Sequence, residues 1–287
     1  MSYPLITLYV PGTRPELIEK AARCAPDAVI IDLEDTVPTD RKVQVRQDIA
    51  DILPSVALPV LVRVNNDPDF LEADLKAMVS EHVYGLFLPK AEDPAQIQQV
   101  DAIMGQAERE RGLAAGSVKL MPMMETALGV LRCFELATAA PRVESVSFGS
   151  AEDGDLQGDL RCAWSIEGTE LLYARSKVLL DARAARLPYV LDGAYSDIKN
   201  DEALRTDCQL SKRLGYDGRT LVHPQQVPVA REAYAASAEE LDYYRRLIAA
   251  FEAAEADGSA AISLDGKLVD YAMYKKAQTF ISEKQTA

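Results

Sequence analysis

AVIIDLEDTVP, residues 28–38, sets four apolar residues in a row, Ala28 to Ile31, directly before Asp32, Glu34 and Asp35. Such a run reads as a strand buried on both faces, the state of strands in a parallel sheet covered by helices. Burying even one unpaired carboxylate is costly, so a strand that ends in three must end where cations gather. Similar apolar, β-branched runs recur along the chain: LITLYVP (5–11), PVLVRVN (59–65), GLFLPKA (85–91), KLMPMME (119–125), VESVSFGS (143–150), PYVLDGA (188–194) and GRTLVHP (218–224). Between them lie segments with helical apolar spacing, the clearest being RPELIEKAARC, RKVQVRQDIADIL, PAQIQQVDAIMGQAERE and GTELLYARSKVLLDARAAR. Eight strands alternating with helices imply parallel pairing through crossover connections. In 287 residues, eight such units fit one closed (β/α)8 TIM barrel, a fold of about 250 residues, better than an open doubly wound sheet. No GxGxxG follows the first strand, which weakens a dinucleotide-binding reading.

Composition narrows the function classes. The formal net charge of −14 argues against general nucleic-acid binding and against an anionic membrane partner. No apolar stretch is long enough to span a bilayer, and the N-terminus MSYPLITLYVPG has neither the basic flank nor the cleavage site of a signal peptide. Cys24, Cys133, Cys162 and Cys208 form no CxxC pair, so they read as reduced core thiols of a cytoplasmic protein.

A closed parallel barrel gathers all strand C-termini at one face, where such folds keep their active sites. Strand one leads to Gly12 and Arg14, strand two to Asp32, Glu34 and Asp35, strand three to Arg63 and Asn65, and strand four to Lys90 and Glu92. Strand five ends at Glu125, strand six leads into Glu152, Asp153 and Asp155, strand seven ends at Asp192 and strand eight at His223. The carboxylates of IDLED can therefore meet Arg14, Arg63, Lys90 and a metal ion. Several of these residues have plainer readings. Asp192 and Glu92 suit ordinary strand-end salt bridges, and His223 suits a hydrogen-bonded histidine at the rim as well as a catalytic one. Asp155 and Asp159 suit turn or helix caps.

No Ser-His-Asp set and no GxSxG can be assembled, and two histidines without a cysteine pair make a poor zinc site. Carboxylates among cations suit a hard divalent ion such as Mg2+, which takes one or two protein carboxylates and completes its shell with water and substrate oxygens. Glu125 and Asp153, on consecutive strands, suit that role. An ion held this way can chelate a 2-oxo acid and act as a Lewis acid, and an arginine adds bidentate carboxylate binding. Together these are equipment for making or breaking a carbon–carbon bond beside a carbonyl.

The motifs LYVPGTRPELIEKAA, AVIIDLEDTVP, PVLVRVN, GLFLPKAED, PMMETALGV, FGSAED and GYDGRTLVHPQQV, in this order, resemble the citrate lyase β-subunit-like family. That family includes malyl-CoA and citramalyl-CoA lyases and belongs to the magnesium-dependent HpcH/HpaI aldolase superfamily. The resemblance covers about residues 3–283. It implies a (β/α)8 barrel that cleaves or forms 3-hydroxyacyl-CoA thioesters, giving a 2-oxo acid and acetyl- or propionyl-CoA, in some relatives with hydrolysis of the thioester. It implies that Arg63 grips the substrate carboxylate, that Glu125 and Asp153 hold Mg2+ (with Mn2+ able to substitute), and that Glu34 and Asp35 form an outer shell through water. Arg14 is then expected near the thioester or oxyanion, and Glu125 near the substrate. The chain departs from the family after AED, where a hydrophobic residue is usual and Gly154 stands here, followed by DLQGDLRCAW.

The division expected is a barrel over 1–237 and a C-terminal helix and lid over 238–287. The tail AISLDGKLVDYAMYKKAQTFI (261–281) resembles the lid of the CoA-lyase branch, in which the acid corresponding to Asp270 is the general acid/base lent to a neighbouring subunit. Its residues also read locally: DG as a tight turn, Leu268 and Tyr271 as anchors, Asp270 as a helix N-cap. A homo-oligomer, trimer or hexamer, follows from the resemblance. The alternatives are a CoA-independent aldolase or lyase for a small oxo or hydroxy acid, and a citrate lyase β subunit that needs an acyl-carrier partner.

Overall fold

A computed structural model of the chain describes residues 3–256 and 258–286. Their contacts divide into two compact units, one over Tyr3–Tyr234 and one from Ala235 on.

The first unit is a closed barrel of eight parallel strands in chain order, β1 (Ile6–Pro11), β2 (Ala28–Asp32), β3 (Val60–Arg63), β4 (Gly85–Leu88), β5 (Lys119–Met124), β6 (Ser147–Phe148), β7 (Leu191–Asp192) and β8 (Gly218–Leu221). Pairing of β1 with β8, Thr7 opposite Thr220, closes it. The crossovers carry α1 (Leu17–Ala22), α2 (Lys42–Ile52), α3 (Leu71–Met78), α4 (Pro94–Glu110), α5 (Ala127–Leu131), α6 (Cys133–Thr138), α7 (Asp155–Leu160), α8 (Leu172–Ala184) and α9 (Asp201–Leu214). The helix after β8 is α10 (Gln226–Tyr234). It completes the eightfold rhythm ahead of the amphipathic segment 238–256, which belongs to the second unit.

Strand periodicity of two places the site. On β2, Ala28 and Ile30 point into the barrel, where they pack with Leu61, Phe87, Met121, Met123, Tyr189 and Leu191. Val29 and Ile31 point outward to the helices. Each such side chain, fully buried, stabilises the fold by about 1.5–3 kcal/mol. Extending the inward parity one step past this apolar layer reaches Asp32 on β2, Arg63 on β3 and Glu125 after β5. The charges that open the question in AVIIDLEDTVP thus form the polar layer above an apolar plug.

The second unit holds α11 (Ala238–Ala256), an antiparallel hairpin of β9 (Ala261–Leu264) and β10 (Lys267–Asp270), and α12 (Tyr271–Thr286). Asp265 and Gly266 both adopt positive φ, 51° and 76°, the backbone a two-residue type I′ turn requires. Arg246 grips the Asp265 carboxylate with both arms, at 2.9 and 3.1 Å. Leu247, Phe251, Val269, Tyr274 and Ala277 form its core, with Phe251 stacked on Tyr274 at 4.7 Å. The anchor on β10 is therefore Val269, not Leu268, which is 69% exposed: alternation along the strand lets only one of these neighbours face inward. Among the described residues no helix is long and apolar enough to cross a membrane, and all four cysteines are free thiols.

Candidate active site

A cavity of about 290 Å3 opens at the C-terminal ends of the barrel strands, among residues that include Tyr9, Asp32, Asp35, Arg63, Glu125, Ser150 and Asp155. Its floor is an ion pair. Arg63 Nε and Nη2 donate to Asp32 Oδ1 and Oδ2 at 2.7 and 2.8 Å, a fork-to-fork contact of the strong bidentate kind. Asp32 also accepts from the backbone N–H groups of Glu34 and Thr36. Burial pushes the Asp32 carboxyl up, but the bonds and charge of Arg63 outweigh it and hold it below the usual carboxylate range. Tyr9 lies under the guanidinium, 5.2 Å from its centre. The third nitrogen of Arg63, Nη1, stands 3.1 Å from both Glu34 and Asp35. The Glu34 oxygen at that distance, Oε2, is buried and lies off the N–H direction, so it takes part in an ion pair without a hydrogen bond.

Glu125 is only 6% exposed. Its Oε1 accepts from the backbone N–H of Lys90 at 2.9 Å. Among the described residues no hydrogen bond reaches Oε2. Burial, with Glu34 adding to it and Arg63 and Lys90 opposing, raises its carboxyl from the usual range to about 7. Gly149, just past β6, lets the two strand ends approach: a Cβ there would lie 2.6 Å from Cβ of Glu125. Lys90 sits beside the layer with φ +50°, its ammonium 2.7 Å from Glu34 Oε1 and 3.2 Å from Asp155 Oδ2.

The structure thus brings together Arg63, Glu125, Glu34 and Asp35 among the residues expected at the site. Arg14 lies elsewhere: it is exposed, pairs with Glu16 and does not line the cavity. Asp153 is exposed too, with φ +57°, and its N–H donates to Gln157 Oε1 at 2.6 Å. The loop residue that lines the cavity is Asp155, two positions on, at the start of α7. Asp270 belongs to the second unit, where it is exposed and its Oδ1 caps α12 by accepting from Met273 N at 3.0 Å. Asp192 is structural as its plainer reading has it, buried against Arg175, which also pairs with Asp207 at 2.9 Å. His223 receives the N–H of Gln225 in a turn. Asp159 accepts from Ala127 N, tying α7 to the start of α5.

Three residues carry more than their sequence context indicates. Tyr9 shares the inward parity of β1, a legible signal. Ser150 is 6% exposed with a hydroxyl that has no hydrogen-bond partner among the described residues, and only its place beside Gly149 points to it. Asp155 stands among the residues expected at the rim after strand six, but its sequence context also suits a cap.

The family model described as HpcH/HpaI aldolase/citrate lyase matches residues 5–224. The chain belongs to that family. Citrate lyase subunit beta of Leuconostoc mesenteroides subsp. cremoris is 33% identical over 275 residues, covering 94% of this chain and 90% of that protein. The (3S)-malyl-CoA thioesterase of Cereibacter sphaeroides is 34% identical over 267 residues, 92% and 88% of the two chains. A solved structure of CitE from Mycobacterium tuberculosis, in complex with magnesium, acetoacetate and coenzyme A, superposes with a TM-score of 0.77 at 27% identity over 98% of each chain. A citrate lyase from Burkholderia xenovorans, 19% identical with a TM-score of 0.84, shares the fold. The chain is accordingly an enzyme of the aldolase and lyase type.

Proposed function

We propose that the chain is a divalent-cation-dependent carbon–carbon lyase. It cleaves or forms a 3-hydroxyacyl-CoA thioester such as malyl- or citramalyl-CoA, with a 2-oxo acid and acetyl- or propionyl-CoA on the other side of the equilibrium. The observation that carries this reading is Glu125, a nearly buried carboxylate on a cavity wall with one oxygen unclaimed, beside Asp155, Arg63 and an orphaned serine hydroxyl. Burial raises that carboxyl to about 7, and a cation bound beside it would favour the charged form. Those donors fit Mg2+, a hard ion that needs few protein carboxylates. Glu125 with Asp155 would hold it, Asp155 in place of Asp153 because it is the one on the cavity; Glu34 and Asp35 stand behind them. The ion supplies a Lewis acid for the ketone and carboxylate oxygens of the oxo acid.

The protein's own groups do the rest. Arg63 stays charged at every working pH and offers Nη1 to the substrate carboxylate, which takes the place of the exposed Asp35 carboxylate there. In cleavage a base takes the substrate hydroxyl proton, the carbon–carbon bond breaks to leave the oxo acid, and the bond's electron pair becomes the thioester enolate. Asp270, presented by a neighbouring copy, returns a proton to that carbon. The working unit is then a homo-oligomer, trimer or hexamer, in which the segment from about residue 238 serves as a lid, and the reduced thiols suit a cytoplasmic setting.

The test is to offer the pure protein a panel of 3-hydroxyacyl-CoAs with Mg2+, with and without EDTA, and to measure oxo acid and free thiol separately. Oxo acid released with intact acyl-CoA is the expected result. Thiol released with no oxo acid makes it a thioesterase, and no product without an added acyl carrier makes it a citrate lyase β subunit.

A further inference from the structure

Lys90 touches three carboxylates delivered by three different strands. Its ammonium reaches Glu34 after β2 and Asp155 after β6, and its backbone N–H reaches Glu125 after β5. It does so from a left-handed backbone, φ +50°, that non-glycine residues seldom adopt. The turn is held by a second layer. Asn66 Nδ2 donates to the carbonyls of Pro89 and Lys90 at 2.8 and 3.1 Å, and Gln96 Nε2 donates to Asn66 Oδ1 at 2.6 Å. A strained residue so firmly held is a built feature. Lys90 itself does not line the cavity.

We propose that Lys90 is a positioning residue that acts as a tethered counter-ion: it claims Glu34 and one side of Asp155, so that the divalent cation finds only a sparse set of protein oxygens and stays open to substrate. This rests on the cation reading above. Without the ammonium, Glu34 and Asp155 lose the cation that pairs with them, and their freed oxygens can turn to a divalent ion held at Glu125. The ion is then drawn in tightly and enclosed by protein ligands, at the expense of the positions that oxo-acid oxygens need. The ammonium is also a like charge near the ion, and removing one such charge at an effective dielectric near 20 strengthens cation binding by about tenfold or more.

The experiment measures Mg2+ affinity by isothermal titration, together with kcat and KM for the thioester found active, in wild type, Lys90→Met, Lys90→Arg and Lys90→Gly. Lys90→Met should bind Mg2+ about tenfold more tightly while kcat falls, and Lys90→Arg should restore both. Lys90→Gly, whose backbone adopts the left-handed turn freely, should match Lys90→Met and keeps the test valid if the methionine variant folds poorly. Unchanged or weaker Mg2+ binding in the variants that lack the charge overturns the proposal, because a merely structural lysine predicts that. Glu125→Gln serves as the control. If it leaves Mg2+ affinity intact, the cation reading fails and takes this inference with it; if it abolishes binding while the Lys90 variants bind no better than wild type, the counter-ion role alone fails.

Discussion

At the scale of single residues, Glu125 carries the sharpest consequence. Its carboxyl is raised from about 4.5 to about 7 in the folded, metal-free protein, chiefly by burial. A raised acid contributes stability that is fully present below its unfolded value and lost as pH rises through the folded one. Metal-free protein should therefore lose stability between about pH 4.5 and 7, by up to about 3 kcal/mol at 1.36 kcal/mol per unit. Glu125→Gln fixes the neutral form. In EDTA at pH 8 it should melt above wild type, with the gap closing near pH 4.5; equal melting temperatures at pH 8 would mean that water already reaches the carboxylate. The same proton must leave when a cation binds. Titration of Mg2+ at pH 6 in buffers of different ionisation enthalpy should show net proton release that disappears at pH 8.5. Arg63 gives the second test at this scale. Arg63→Lys keeps the charge but cannot form the planar fork with Asp32 or with a substrate carboxylate. With charged hydrogen bonds contributing about 1.5–3 kcal/mol, kcat/KM should drop by about 10- to 100-fold, mostly through KM. Near-normal kinetics would leave Arg63 as a structural partner of Asp32 alone.

At the scale of elements, what was legible and what was not follow from periodicity. Strand parity carries Ile30 to Asp32, Leu61 to Arg63 and Met123 to Glu125, so the polar layer can be read from the chain once eight strands are counted. Parity ends where the strand ends. β6 has only two residues, and the loop behind it turns through Asp153 at φ +57° before α7 begins. Which of Glu152, Asp153 and Asp155 faces inward depends on that turn, and nothing in the order of residue types encodes it. Arg14 eluded the sequence in the same way: it lies past β1 in a loop where Glu16, two residues on, captures it. The loop yields a direct comparison. Asp155→Asn should weaken Mg2+ binding by about tenfold or more, as loss of an anionic ligand does, and Asp153→Asn should change it by less than about twofold. The reverse order would return the ligand to Asp153. Gly149→Ala tests how the elements approach. The new methyl meets Glu125 at 2.6 Å, so the strand ends must separate at a cost of about 1–3 kcal/mol, and Mg2+ affinity should fall with them.

At the scale of the whole molecule, the second unit poses the remaining question. A hairpin and two helices close their own small core around Phe251 and Tyr274, yet apolar residues next to Asp270 in sequence stay exposed. Leu268 is 69%, Tyr271 48% and Met273 46% exposed. Tyr271 still touches the small core through Phe251 and Tyr274, and exposed apolar groups of this size suit a surface that a partner can cover. Lys267, Lys275 and Lys276 of the same unit are exposed, in a chain of net charge −14 whose barrel cavity is lined by Asp32, Asp35, Glu125 and Asp155. If Asp270 acts in a second copy, as proposed, an acid delivered this way would exclude water from an enolate and withdraw to release bulky CoA. Capping of α12 by Asp270 sets its orientation without consuming it, since a carboxylate has lone pairs to spare. Complementation tests the arrangement. Inactive Asp270→Ala protein mixed with inactive Glu125→Gln protein, under conditions in which subunits exchange, should regain part of the wild-type rate, because some sites then join an intact Glu125 to an intact Asp270. Mass spectrometry of differently tagged chains verifies the exchange. If mixed oligomers form and remain inactive, Asp270 serves the barrel of its own chain or none, and the exposed apolar residues next to it in sequence bind something other than a neighbouring mouth.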